Sequence, residues 1–223
     1  MNLKLDHTKN ILIDSTKNLL KKEGFVYDQV KEAFIREDSL GNKQIISFFF
    51  YNHDTNIQIE IKVELKIKKI EDIYYDSIKC TNIKYEDLKT LSVNIGAIIA
   101  YQENNLMVGG PNRNKVVYLI ENNNDTELLS KVIPKRIEEY ILPFFKDNTS
   151  IQKVDYLLNS HVKEISPFRF LYPYRSCIGV IAAKLNNSPY LSEIIVSYKE
   201  RLKNSKGEFQ KQFEDVVNQI NNI

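Results

Sequence analysis

The sequence predicts an α+β fold: an N-terminal helix, an antiparallel, meander-type sheet of about five strands, then a C-terminal helical layer. Three observations predict it. First, Asn56–Lys69 alternates without a break. Ile57, Ile59, Ile61, Val63, Leu65 and Ile67 are apolar, and Gln58, Glu60, Lys62, Glu64, Lys66 and Lys68 are polar. A period of two makes a strand with one dry and one wet face, and half-wet strands belong to antiparallel rather than parallel sheets. Second, strand-type patterns fill the first half of the chain and helix-type patterns the second, the order of an α+β arrangement. Third, the chain closes on two stripes at a spacing of three and four: Leu191, Ile194, Ile195, Tyr198, Leu202, then Phe209, Phe213, Val216, Val217, Ile220.

Residues 5–22 read as an amphipathic helix. Leu12, Thr16, Leu19 and Leu20 follow Leu5 and His7 at helical spacing, and Gly24 supplies the left-handed stop. A lone helix of that length is marginal in water, so its stripe must pack on the sheet. Val30–Glu37 and Gln44–Tyr51 read as the first two strands, joined by the turn Asp38–Asn42, and Asn52–Thr55 turns the chain into the alternating strand. Gln44–Tyr51 is apolar on both parities, which predicts cover on both faces. Ile70–Tyr75 reads as one helical turn, and 78–89 is ambiguous. Leu91–Gln102 places Val93, Ile95, Ala97, Ile99 and Tyr101 on one parity and reads as a fourth strand, in which Gly96 marks a bulge or a close backbone approach. Asn104–Asn114 reads as a loop, Lys115–Glu121 as a short fifth strand, and Asn122–Thr126 as the end of the strands.

The remainder is helical. Asp125 or Thr126 is positioned to cap a helix running to Ile133. Ile137, Tyr140, Ile141, Phe144 and Phe145 continue it, with Pro134 opening a new segment and Pro143 kinking or ending the run. Ile151, Val154, Leu157 and Leu158 make a short stripe, and 160–174 is irregular. Arg175–Leu185 shows Ile178, Ile181, Ala182 and Leu185, with Gly179 and Ala183 small enough for a close crossing. Ser188 reads as an N-cap with Pro189 at the first helical position, and Gly207 marks the break before the last helix. The organisation is residues 1–122, helix plus sheet, and 123–223, a helical region packed with it, as two parts or one domain.

At 223 residues the chain can bury a substantial core, and 43% hydrophobic with 27% charged residues is a globular balance. The 31 Lys+Arg against 29 Asp+Glu leave a net charge of +2 and no basic stripe, which argues against a nucleic-acid partner. No apolar run approaches the roughly 18 residues of a membrane span, and the opening M-N-L-K-L-D-H-T-K-N lacks a signal-peptide core. The expectation is a soluble, cytoplasmic protein with no membrane partner. Cys80 and Cys177 are too few and too far apart for a disulfide scaffold and read as reduced thiols.

His7, His53 and His161 stand in separate elements and no C-x-x-C or H-x-x-x-H pair is present, so neither a metal nor a cofactor is expected. There is no G-x-S-x-G elbow. The loop V-G-G-P-N-R-N lacks the Lys-Ser/Thr of a phosphate loop and leads into a strand, so it reads as a turn. Ser176-Cys177 opens a helix, a position that can lower a thiol pKa; a small residue packed at a helix crossing is the competing reading. Glu60, Lys62, Glu64 and Lys66 alternate in charge along the wet face and read as solvated. The segment S-P-F-R-F-L-Y-P-Y-R (Ser166–Arg175) crowds aromatics, prolines and arginines together. Because Tyr and Arg are enriched in binding hot spots, Arg169, Tyr172, Tyr174 and Arg175 are candidates for a partner or ligand surface. In the competing reading the aromatics plug the junction of sheet and helices while the arginines are solvated.

E-E-Y-I-L-P-F-F-K-D (Glu138–Asp147), V-D-Y-L-L-N (Val154–Asn159) and I-A-A-K-L-N with Y-K-E-R-L (Ile181–Leu202) resemble an uncharacterised family of short bacterial domains. The resemblance implies a cytoplasmic α+β protein, a helix before an aromatic-rich sheet, and a setting near toxin and immunity genes. It implies no catalytic residue. The function expected is a non-enzymatic protein-binding module, immunity- or antitoxin-like, whose partner is another protein. The alternatives are an enzyme with a site assembled near Cys177 and His161, or a small-ligand binder between sheet and helices.

Overall fold

Chain order separates the layers. Helix α1 (Leu5–Lys22) leads into four strands, β1 (Val26–Asp28), β2 (Ala33–Glu37), β3 (Lys43–Asn52) and β4 (Ile57–Lys66). Helix α2 (Lys68–Ser77), β5 (Leu91–Asn94), helix α3 (Ile95–Asn104) and β6 (Tyr118–Ile120) follow. Helical elements then complete the chain: α4 (Asn123–Arg136), α5 (Leu142–Asn148), α6 (Ile151–Asn159), α7 (Tyr174–Leu185), α8 (Leu191–Leu202) and α9 (Gly207–Ile220). The computed structural model describes residues 5–78, 83–110 and 112–223.

The sheet is an antiparallel meander in the order β1-β2-β3-β4-β5, with β6 also on β4. The far edge of β4 is shared: β6 pairs with Ile57–Ile59 and β5 with Lys62–Leu65. All six aliphatic side chains of the alternating segment are buried, none more than 3% exposed. Each is worth roughly 1.5–3 kcal/mol relative to leaving it in water. Across the ladder Ile46 faces Val63 and Phe48 faces Ile61, and Phe34 meets Phe48 edge-on at 6.1 Å. Val26–Asp28 is a strand that the sequence reading lacked; three residues are too short to show a period.

Helix α1 spans the expected residues and buries Leu12, Ile13, Thr16 and Leu20. It ends as expected, with Gly24 at φ +81° and Phe25 N–H donating back to Leu20 O at 2.9 Å. It packs on β1, β3 and α4. Helix α7 is the hub of the helical layer, touching α2, α6, α8 and α9. Arg175 through Ala183 are all buried, so α7 is covered on every side. One hydrophobic cluster runs through both halves of the chain, joined by contacts such as Phe25–Phe145 and Tyr74–Tyr174, each 5.9 Å. Among the described residues, no helix is long and apolar enough to cross a membrane.

Several elements differ from expectation. Leu91–Gln102 is not one strand: β5 stops at Asn94, whose side chain accepts from Gly96 N–H at 2.8 Å and caps α3. The run Val93-Ile95-Ala97-Ile99 fits a period of two, but Ile95 and Ile98 equally fit a helix, and the cap decides. Ile70–Tyr75 belongs to a full helix, α2, rather than one turn. The α4 cap is Asn122, with Asp125 as the reciprocal member of a capping box. Pro134 lies inside α4. Pro143 does not end the helical run; a widened π turn (Ile137–Ile141) precedes it, where Pro143 has no N–H to give the Glu139 carbonyl. Helix α8 starts at Leu191, so Ser188 and Pro189 sit in the turn before it. Gly207 is the first residue of α9 rather than a break.

Candidate functional site

The aromatic–arginine segment faces inward. Arg175 is 1% exposed. Its guanidinium donates to Leu158 O at 3.1 Å, His161 O at 3.2 Å, Glu164 O, and the Tyr172 hydroxyl at 3.3 Å. These carbonyls belong to the end of α6 and the turn after it, groups a helix leaves without intrahelical donors. Tyr172 packs edge-on against Tyr198 at 6.4 Å, and Tyr174 against Tyr74 at 5.9 Å. The Arg169 guanidinium lies 4.8 Å over the Tyr174 ring, and burial pushes its pKa down. Burial pushes the Tyr172 hydroxyl up, against the pull of Arg175 and Arg201. Three of the four residues are thus half-buried and the fourth wholly buried. Arg175 is not solvated, and Arg169 is only partly so.

Cys177 is wholly buried in α7, and burial pushes its thiol well above the ordinary thiol range, only partly offset by Ser176. His161 is exposed and contributes its backbone carbonyl to Arg175. A protonated thiol with no path to solvent does not attack a substrate. Cys80 lies outside the described residues. In the glycine loop, Gly109 N–H donates to Ile165 O at 2.8 Å, which straps the loop to the α6–α7 connection; Pro111 lies outside the described residues. Among the described residues, no three His, Cys, Asp or Glu side chains gather to hold a metal ion.

The wet face of β4 is only half wet. Glu60 pairs with Lys115 at 2.6 Å near the solvent, but Glu64 and Lys66 are buried. Both line a cleft of about 400 Å³ together with Tyr85, Glu86 and Lys89, which lie on the segment just before β5. Lys66 donates to Glu86 O at 2.8 Å and lies 3.8 Å from Glu71, while the Thr90 hydroxyl donates to Glu71 at 2.9 Å. Burial pushes the Glu71 carboxyl above its ordinary 4.5, against the pull of Lys66 and Thr90. Burial pushes Lys66 below its ordinary 10.5, against the pull of Glu71. A raised folded pKa means that the Glu71 contribution to stability is intact below pH 4.5 and is lost as pH rises through the folded value. Lys66 has the opposite sign: its contribution is present above 10.5 and lost as pH falls through the depressed value. Glu71→Gln keeps an acceptor for Thr90. It is expected to flatten the decline in stability above pH 4.5 and to raise the denaturant midpoint near pH 7. Midpoints measured from about pH 4 to about pH 8 test this; a slope as steep as the parent's would assign the decline to another group.

The larger concavity, about 850 Å³, lies between α6 and α8. Ser150 caps α6, which turns Val154, Leu157 and Leu158 inward. Asn159, one turn after Asp155, bridges three elements: its amide donates to Asp155 at 2.6 Å and to Gly179 O at 2.9 Å, and its oxygen accepts from the Tyr198 hydroxyl at 2.9 Å. Gly179 makes this crossing possible, because a Cβ there would lie 2.7 Å from both Asn159 Oδ1 and Tyr198 Oη. Asn186, the C-cap of α7, donates to the other Asp155 oxygen at 2.7 Å. At the mouth stand Tyr156 and Tyr190, 44% and 62% exposed. The sequence reading missed this groove. Its signal was Tyr156, an aromatic lying off the Val154–Leu157–Leu158 stripe.

The class defined by these features is an α+β protein with a six-stranded antiparallel sheet and a helical layer centred on a buried helix. The chain matches no family model, no curated protein and no solved structure. The resemblance to short bacterial domains therefore rests on the quoted residues alone.

Proposed function

We propose that the protein is a non-enzymatic protein-binding module, in the manner of an immunity protein that occupies its toxin, and that the α6–α8 groove is its docking face. One observation carries this reading: two exposed tyrosines frame the larger of the two concavities described above. Tyrosine offers large contact area with a polar tip and little entropy to lose, and dominates binding hot spots. The buried, protonated Cys177 supports the same reading over an enzyme built on that thiol.

The test is affinity capture from the host lysate with the wild-type chain and with Tyr156→Ala/Tyr190→Ala. Wild type is expected to recover a specific protein. The double variant, truncated at two exposed positions, is expected to keep its Tm and to lose at least tenfold in affinity, about 1.4 kcal/mol or more. Failure to recover any partner at any salt concentration defeats the proposal. A second reading, a small-ligand binder, draws on the cleft beside Lys66 and Glu71. A metabolite panel that shifts Tm in wild type but not in Lys66→Met supports it.

A further inference from the structure

Resting on the protein-binding reading above, we infer that the α6–α8 groove receives an arginine side chain of the partner protein, with the Asp155 carboxylate as its counter-ion. Asp155 lines the groove yet is only 7% exposed. A carboxylate taken that far out of water is normally paired with a cation. Here each oxygen accepts one hydrogen bond from a neutral amide, Asn159 on one side and Asn186 on the other. Among the described residues it enters no ion pair within 4.0 Å. A carboxylate has about four lone-pair sites, so two remain for a donor arriving through the groove.

The geometry favours guanidinium over ammonium. The two amides fix the plane of the carboxylate, and a planar fork of N–H groups matches both oxygens at once, whereas an ammonium meets them as a point charge. Tyr156 and Tyr190 at the mouth provide ring faces for the stem and the cation. Glu193, exposed on α8, adds a second negative charge to the wall. Lys153 and Lys163, also exposed, line the same groove and reject a partner that presents only basic residues. The occupant is therefore a mixed-charge protein segment with one central arginine.

The test is a titration of the isotopically labelled full chain with N-acetyl-arginine methylamide, followed by its citrulline and lysine counterparts. Citrulline is nearly isosteric with arginine but uncharged. The arginine probe is expected to shift the backbone amides of Tyr156, Asn186 and Tyr190 saturably, with a Kd on the order of 1 mM for so small a ligand. Citrulline is expected to bind at least tenfold more weakly, and Asp155→Asn to lose the arginine response by the same factor. Should Asp155→Asn fail to fold, Tyr190→Ala and Glu193→Gln, both at exposed positions, must each weaken the response. Equal shifts from citrulline, equal binding of the lysine probe, or no saturable shift with arginine each overturn the inference. None of these results touches the protein-binding reading, which fails only if no partner is captured or the tyrosine variants still bind it.

Discussion

Arg175→Ala is expected to destabilise the fold by about 3–5 kcal/mol, a large part of the roughly 5–15 kcal/mol available to a domain. The cost has two sources. The Leu158, His161 and Glu164 carbonyls lose a charge-assisted donor, at about 1.5–3 kcal/mol for each such bond and less where a second donor stays, the Tyr198 hydroxyl on Leu158 O and the Glu164 N–H on His161 O. The side chain, 1% exposed with its guanidinium carbon 5.9 Å from the centre of the Tyr198 ring, leaves a cavity. Against this stands relief from burying a guanidinium that has no carboxylate partner among the described residues, which lowers the net below the simple sum. Arg175→Met separates the two sources, since it restores much of the stem without the donors. Denaturant midpoints at constant m-value measure all three forms. The expected order is wild type, then Met, then Ala, with Arg175→Lys recovering only part because one ammonium cannot span three divergent carbonyls. If Met equals wild type, the hydrogen bonds contribute nothing and the account fails.

The same arginine shows where a sequence stops being informative. Composition singled out Ser166–Arg175, but it cannot tell whether a Tyr–Arg cluster faces a partner or its own helices. That depends on where α6 ends in space, which the segment's own residues do not encode. Glu64 and Lys66 teach the same lesson in reverse. The alternation placed them correctly on the outer face of β4, but they are buried because the segment before β5 lies over them, a long-range event. What was legible was local and periodic: the six aliphatics of β4, helix α1 with its glycine stop, and the α8 and α9 stripes. The α4 cap was also encoded, as Asn122 followed three residues later by Asp125, and reading Asp125 or Thr126 as the cap overlooks the pairing.

The sequence reads Gly96 as a bulge or a close backbone approach inside a strand; the approach exists although the strand does not. A Cβ at this position would lie 1.8 Å from Asn114 O and 2.7 Å from Val116 N, both backbone atoms with no flexible end to swing aside. The contact is tight because Asn94 works twice: its oxygen accepts from Gly96 N–H at 2.8 Å and from Val116 N–H at 3.0 Å, drawing the chain before β6 onto the first turn of α3. Gly96→Ala therefore has to push residues 114–116 away and break the Val116 bond. It also loosens β6, which pairs with β4 two residues further on. Overpacking of this kind costs about 1–3 kcal/mol and more where backbone must move, while alanine returns up to about 1 kcal/mol of helix propensity. The expected net loss is about 2–4 kcal/mol, with faster hydrogen exchange at Val116 and Tyr118. Gly207 is the internal control. It opens α9 and a Cβ there meets nothing within 4 Å, so Gly207→Ala is expected to be neutral or to gain up to about 1 kcal/mol. Identical substitutions with opposite signs would tie the effect to steric approach. If both variants shift stability in the same direction, glycine entropy rather than the Asn94 clamp governs position 96.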